Sequence, residues 1–246
     1  MKKKNKAIYL LFLMPFVYFA TACFVVWLVK TSGIYPSGSD TMYHVYRGDY
    51  VYNAIKSGNW YPLYDPAWYN GVEILRYWSP FPAYVMAFCQ YLAGGSQFGA
   101  YLFYIGGVCF LGACVWPFIG RGFNRPYLGA FIGLLWFFMP NNLCAIFIEG
   151  NLARSLSMIF LPVFIYSVYK YLYNHKLRYI PLMVFTFLLM ELCHLGYAGM
   201  VAIAVIIYGI VYIIQKGRKK AVLDVVISMI FGFMLLGIWL VASLRG

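Results

Sequence analysis

Charge is scarce in this chain. Of its 246 residues 11% are charged and seven are acidic, while 63% are hydrophobic. An ordinary soluble domain has roughly 25% charged and 45–50% apolar residues, so a water-soluble fold is excluded. The six cysteines, at 23, 89, 109, 114, 144 and 193, lie in apolar surroundings without C-x-x-C spacing. Neither a disulfide framework nor a zinc site is signalled, and packing accounts for them. There is no G-x-x-x-x-G-K, G-x-G-x-x-G, H-E-x-x-H or nucleophile elbow, which leaves nucleotide-driven and hydrolytic chemistry without support. No internal repeat or low-complexity tract appears.

What is abundant is apolar sequence in long blocks. Seven run near 7–29, 97–120, 127–140, 155–173, 178–195, 197–214 and 221–243. A helix crosses a bilayer with roughly 20 apolar residues, and helices satisfy their own backbone there. The expected fold is all-α: a polytopic transmembrane helical bundle of about seven spans. The third block is the shortest. The first has a basic start and Ala20-Thr21-Ala22, as a signal sequence has, but its apolar run reaches Val29, beyond the usual core of about 7–15 residues. It reads as an uncleaved helix.

The net charge of +12 does not point to nucleic acid, because the cations sit in small clusters between apolar blocks. Lys2, Lys3, Lys4 and Lys6 precede the first block. Arg121 and Arg125 follow the second, Lys170, Lys176 and Arg178 bracket the turn between the fourth and fifth, and Lys216, Arg218, Lys219 and Lys220 follow the sixth. Together these are 13 of the 19 cations. A cytoplasmic N-terminus with in-out alternation places all four clusters inside, as the positive-inside bias requires. Six of the seven acids, all but Asp224, then fall outside or near outer helix ends. Localisation is expected in the cell membrane, multi-pass.

One membrane domain, 1–246, is expected: a first helix over 1–30, an external loop with an interfacial helix over 31–96, and helices 2–7 over 97–246. Thr31 to Pro80 holds nine tyrosines and three tryptophans and is too long for a mere connector. The spacing of Ile, Val and Tyr from Asp40 to about Ser57 predicts an amphipathic helix with Asp40 as its N-cap. Gly58-Asn59-Trp60-Tyr61-Pro62, Asp65-Pro66 and Asn70-Gly71 supply breaks and turns. Residues 83–93 are apolar but too short to span, which predicts an interfacial or re-entrant helix. Were they to span, every later loop would invert against the charge bias.

Four strings carry a resemblance: Gly38-Ser39-Asp40, Ile55-Lys56-Ser57-Gly58-Asn59-Trp60-Tyr61-Pro62, Trp68-Tyr69-Asn70-Gly71-Val72 and Tyr77-Trp78-Ser79-Pro80-Phe81-Pro82. They resemble the first external loop of GT-C-type membrane glycosyltransferases, among them the bacterial YfhO-like proteins and the membrane proteins named "6-pyruvoyl-tetrahydropterin synthase-related". Despite that name, nothing here looks like a soluble pterin enzyme. The resemblance covers the first helix, the loop and the helices after it, an N-terminal portion of a typical member, so the chain is expected to be incomplete at its C-terminus. It implies transfer of a sugar from a polyprenyl-phosphate donor to a glycan or lipid acceptor on the outer face, with inversion at the anomeric carbon. It further implies a loop aspartate acting as base or as ligand to a divalent metal.

Asp40 matches that aspartate by position. A carboxylate at a helix N-terminus lies at the positive end of the dipole and can accept the proton of an acceptor hydroxyl; the bland alternative is a plain cap. His44 and Arg47 follow at helical spacing, flanking the same pocket or lying on a solvated face. Glu149 sits in a polar stretch where the resemblance also places a motif, as a second catalytic candidate or a loop acid paired with Arg154. Glu191 and His194 lie in an apolar run, i and i+3, where ionisable groups usually face a cavity. Arg47, Arg76 and Arg154 are the outer guanidiniums, and one of them is expected to hold a lipid-linked phosphate. The loop aromatics can stack on sugars, but most suit a membrane interface.

Two rival readings stay open. One is a non-catalytic transporter or lipid-handling protein that depends on Glu191 and His194 more than on Asp40. The other is an inactive fragment that packs against a partner.

Overall fold

The computed structural model describes residues 2–245 and, for side chains, residues 12–244. The side chains of Lys2, Lys3, Lys4 and Lys6, and Gly246 as a whole, lie outside the described residues. In chain order the helices are α1 Lys2–Ser32, α2 Thr41–Lys56, α3 Ile74–Tyr77, α4 Phe81–Leu92, α5 Gln97–Gly122, α6 Pro126–Leu135, α7 Pro140–Leu143, α8 Leu152–Asn174, α9 Tyr179–Cys193, α10 Leu195–Lys216 and α11 Lys219–Arg245. Among the described residues there is no strand, only an isolated bridge between Asp65 and Val72. The chain is an all-α, polytopic helical bundle.

Among the described residues six stretches are long and apolar enough to cross a membrane: Phe12–Ser32, Gln97–Gly122, Pro126–Ile148, Leu152–Asn174, Leu195–Lys216 and Lys219–Leu244. The seventh expected block, α9, has 15 residues. At about 1.5 Å per residue it falls short of a hydrocarbon core of roughly 30 Å. The third block runs on past 140 to Ile148 as a broken helix, and Pro140 is the reason. Proline has no N–H to donate and pushes the residue before it to extended backbone. Accordingly α6 gives way to a 3₁₀ turn over Trp136–Phe138, Met139 is extended (φ −62°, ψ 122°), and α7 starts at Pro140 before a π turn over Cys144–Ile148. Asn142 Nδ2 donates to the Trp136 carbonyl at 2.8 Å, satisfying an acceptor that the break frees.

The chain divides into two compact units, one of residues 1–62 and 81–159, the other of 63–80 and 160–246. In the first unit α1 and α6 pack on α5, and α2 and α4 form a second layer on the same helix. Backbones come very close where α5 meets α6: a Cβ on Gly129 would lie 2.4 Å from the Trp116 carbonyl oxygen and 2.8 Å from Gly120 Cα. The fully buried Tyr18 donates its hydroxyl to the Ala130 carbonyl at 2.8 Å, tying α1 to α6. The 12-residue α4 is too short to span, as expected, and buries Ala83, Met86, Ala87 and Cys89.

In the second unit α9 packs on α10 and α11 around Phe164, Met183, Phe187, Met190, Ala198 and Val222. The turns expected at Asp65-Pro66 and Asn70-Gly71 form. Asp65 and Val72 exchange backbone hydrogen bonds of 2.9 and 3.0 Å, Asp65 Oδ1 accepts from Ala67 N–H, and Asn70 and Gly71 take positive φ. Trp239 Nε1 donates to the Leu75 carbonyl at 2.7 Å, anchoring α3 to α11. The α8–α9 and α10–α11 turns meet through Arg218 Nη1 and His175 Nε2, so α9 and α10 together return the chain to the end it left.

Gly129→Val should force α5 and α6 apart. Overpacking of this kind costs about 1–3 kcal/mol, expected as a lower Tm in detergent with membrane insertion retained.

Candidate functional site

The first unit gathers two polar segments far apart in sequence. Gly38-Ser39-Asp40-Thr41 lies directly against Glu149-Gly150-Asn151. Asp40 N–H and Ser39 Oγ both donate to the Glu149 carbonyl, each at 3.0 Å. The approach is so close that a Cβ on Gly38 would sit 2.5 Å from Gly150 Cα, and one on Gly150 2.2 Å from Thr41 Oγ1. Gly150 also has φ +67°, a conformation that glycine alone adopts without cost. Asn151 caps α8 by accepting the Arg154 N–H at Oδ1, 2.9 Å. That places Arg154 on the first turn, where its Nη1 reaches Glu149 Oε2 at 2.6 Å. Glu149 Oε1 accepts from Cys144 Sγ at 3.4 Å. The expected Glu149–Arg154 pair is therefore present.

Asp40 stands at the N-cap of α2 as expected, yet its side chain makes no capping hydrogen bond. Its Oδ1 accepts instead from Ser39 Oγ at 3.2 Å. The carboxylate is half-buried, beside the first turn of α2, where N–H groups have no intrahelical partner. His44 and Arg47 lie on the buried face of α2 with Thr41, Val45, Gly48 and Val51, so the solvated-face alternative is removed. Arg47 is 2% exposed. Burial pulls its pKa below the ordinary value, and Tyr43, whose ring lies 5.3 Å from the guanidinium, pushes it back up.

The other expected residues belong to the second unit. Arg76 pairs with Glu73 at 2.5 Å and donates from Nε to the Ser243 carbonyl at 2.7 Å, so it secures the last turn of α11 and α3. Glu191 is 2% exposed and its Oε2 has no hydrogen-bond partner, while its backbone carbonyl accepts from Ser79 Oγ at 3.0 Å. The expected i, i+3 pair on one helix does not form. α9 ends at Cys193, and His194 is extended (φ −154°, ψ 94°), capping α10 by accepting the Tyr197 N–H at Nδ1, 3.0 Å. Among the described residues no three His, Cys, Asp or Glu side chains gather closely enough to hold a metal ion.

Sequence reasoning missed Thr41. Its side chain is 1% exposed, and its hydroxyl is buried between the two glycines without a hydrogen-bond partner. The only signal was its place directly after Asp40.

The family profile of the 6-pyruvoyl-tetrahydropterin synthase related domain, described as a membrane protein, matches residues 75–246. The chain belongs to this family. The matched span contains Arg76, Glu149, Arg154, Glu191 and His194 of the family member, while Asp40, His44 and Arg47 precede it. No curated protein and no solved structure matches the chain.

Gly150→Ala should separate the two segments, since the new methyl meets Thr41 and the backbone is left-handed. A loss of about 1–3 kcal/mol is expected, measured as a fall in Tm, with Gly199→Ala, where a Cβ meets open space, as the silent control.

Proposed function

We propose that this protein is a GT-C-like integral membrane glycosyltransferase, taking a sugar from a polyprenyl-phosphate donor to a glycan or lipid acceptor on the extracytoplasmic face of the cell membrane. The observation that carries the reading is the close packing of Gly38-Ser39-Asp40 on Glu149-Gly150-Asn151, which leaves the Asp40 carboxylate uncommitted to capping. Asp40 acts as general base, taking the proton from the acceptor hydroxyl. The acceptor oxygen bonds to the anomeric carbon as the bond from that carbon to the phosphate oxygen breaks, and the lipid phosphate departs with the electron pair. Inversion follows from attack opposite the leaving group.

Arg154 is the best-placed guanidinium to steady that phosphate. It is held at the same clasp by the Asn151 cap and is partly exposed, whereas Arg47 is buried and Arg76 binds the end of α11. A bidentate guanidinium suits a phosphate, and Glu149 keeps Arg154 in place until the donor arrives. The distribution of cations supports a cytoplasmic N-terminus with Asp40 outside.

Glu191 supports a second reading, a transporter or lipid-handling protein, because a buried carboxyl oxygen without a partner is costly and usually functional. That reading expects Glu191→Gln to abolish activity while Asp40→Asn spares it.

Glycosyl transfer from a panel of polyprenyl-phosphate sugars, assayed in vesicles, should fall about 10²- to 10⁴-fold in Asp40→Asn with insertion unchanged. Arg154→Ala should mainly raise KM for the donor. Undiminished transfer by Asp40→Asn, or labelling of Ser39→Cys only from the cytoplasmic side, would remove the proposal.

A further inference from the structure

The second unit carries an open groove of about 520 Å³, its cations exposed to solvent, at the end where the α8–α9 and α10–α11 turns meet. Tyr171 and His175 come from α8, Arg218 from the turn, and Lys219, Lys220 and Asp224 from α11. The chain is bent to build it. His175 adopts φ +51°, its backbone N–H still bonding to Tyr171, and Gly217 takes φ +68° to end α10 immediately before the three cations. Arg218 contacts His175 across the opening, and Asp224 is engaged by the Tyr171 hydroxyl at 2.6 Å.

We propose that this groove binds a phosphate group, supplied by an anionic phospholipid headgroup or by free phosphate. Three cations outnumber the one carboxylate that faces them, and that carboxylate already accepts from Tyr171. The α11 helix begins at Lys219, so its first N–H groups add donors and the positive end of a 27-residue dipole to the same space. The groove lies at the ends of helices long and apolar enough to cross a membrane, and basic pockets between membrane helices hold anionic lipid headgroups. Arg218 supplies the planar fork suited to a phosphate, and the lysines supply point charge. This site is independent of the clasp at Asp40.

The whole chain in phosphatidylcholine nanodiscs is the starting material. One arm adds phosphatidylglycerol to the bilayer and the other adds inorganic phosphate to the buffer, with binding read as a Tm shift and by native mass spectrometry. Saturable binding is expected in at least one arm, and that arm identifies the source. The triple variant Arg218→Gln, Lys219→Gln, Lys220→Gln should bind about tenfold or more weakly, while Lys176→Gln with Arg178→Gln, cations outside the groove lining, should match the native chain. Asp224→Asn keeps an acceptor for Tyr171, removes the opposing charge and should bind more tightly, which decides the matter if the triple variant fails to fold. Absence of binding in both arms, equal weakening in the two multiple variants, or no tightening in Asp224→Asn would overturn the site.

Discussion

A helix break inside or at the end of a membrane span has to settle its own backbone hydrogen bonds, because hydrocarbon offers none. That constraint decides where polar side chains stand. Asn142 serves the carbonyl freed before Pro140, Asn151 caps α8, and His194 caps α10. The Glu149 carbonyl, left over at the end of the π turn, is taken by Asp40 N–H and the Ser39 hydroxyl. The clasp around Asp40 is thus a solution to a backbone problem, and the candidate chemistry is built on it.

The same logic separates side chains that the interruptions employ from side chains they do not. Arg76 and His194 are spent on carbonyl and amide groups at helix ends. Thr41 Oγ1 and Glu191 Oε2 are buried without such employment, and unsatisfied buried polar atoms cost roughly 1–3 kcal/mol each. Asp40 lies between these cases: its main chain is committed and, among the described residues, its carboxylate accepts from a neighbouring serine hydroxyl.

Six of the seven expected spans were legible because twenty-residue apolar runs have few interpretations in water or lipid, while the fifth block forms a helix of 15 residues. So were the helix after Asp40, the turns at Asp65 and Asn70, and the short helix after Pro80. The course of the chain around Pro140 was half legible. Proline announces a break, but not that the helix resumes as far as Ile148. The 31–80 loop looked like one folded piece, whereas it divides after Pro62 between two units, because α3 finds its partners on α11. The contact between Gly38 and Gly150 was beyond sequence reasoning, since nothing local says which glycine's missing side chain makes room for which other. The pairing of Glu191 with His194 was misleading, because spacing along a helix has meaning only while the helix lasts.

The hydrogen bond from Ser39 to the Glu149 carbonyl spans 110 positions, and that distance sets an order of events during synthesis. When Asp40 leaves the ribosome its counterpart does not yet exist, and α4, α5 and α6 must be made and inserted before the two glycines can touch. Until then the Asp40 N–H and the Ser39 hydroxyl lack the carbonyl they bond in the folded chain. The Asp40 carboxylate acquires its setting only once the first unit is nearly complete, so a nascent chain stalled before Gly150 would hold the first helices without the contact that places it.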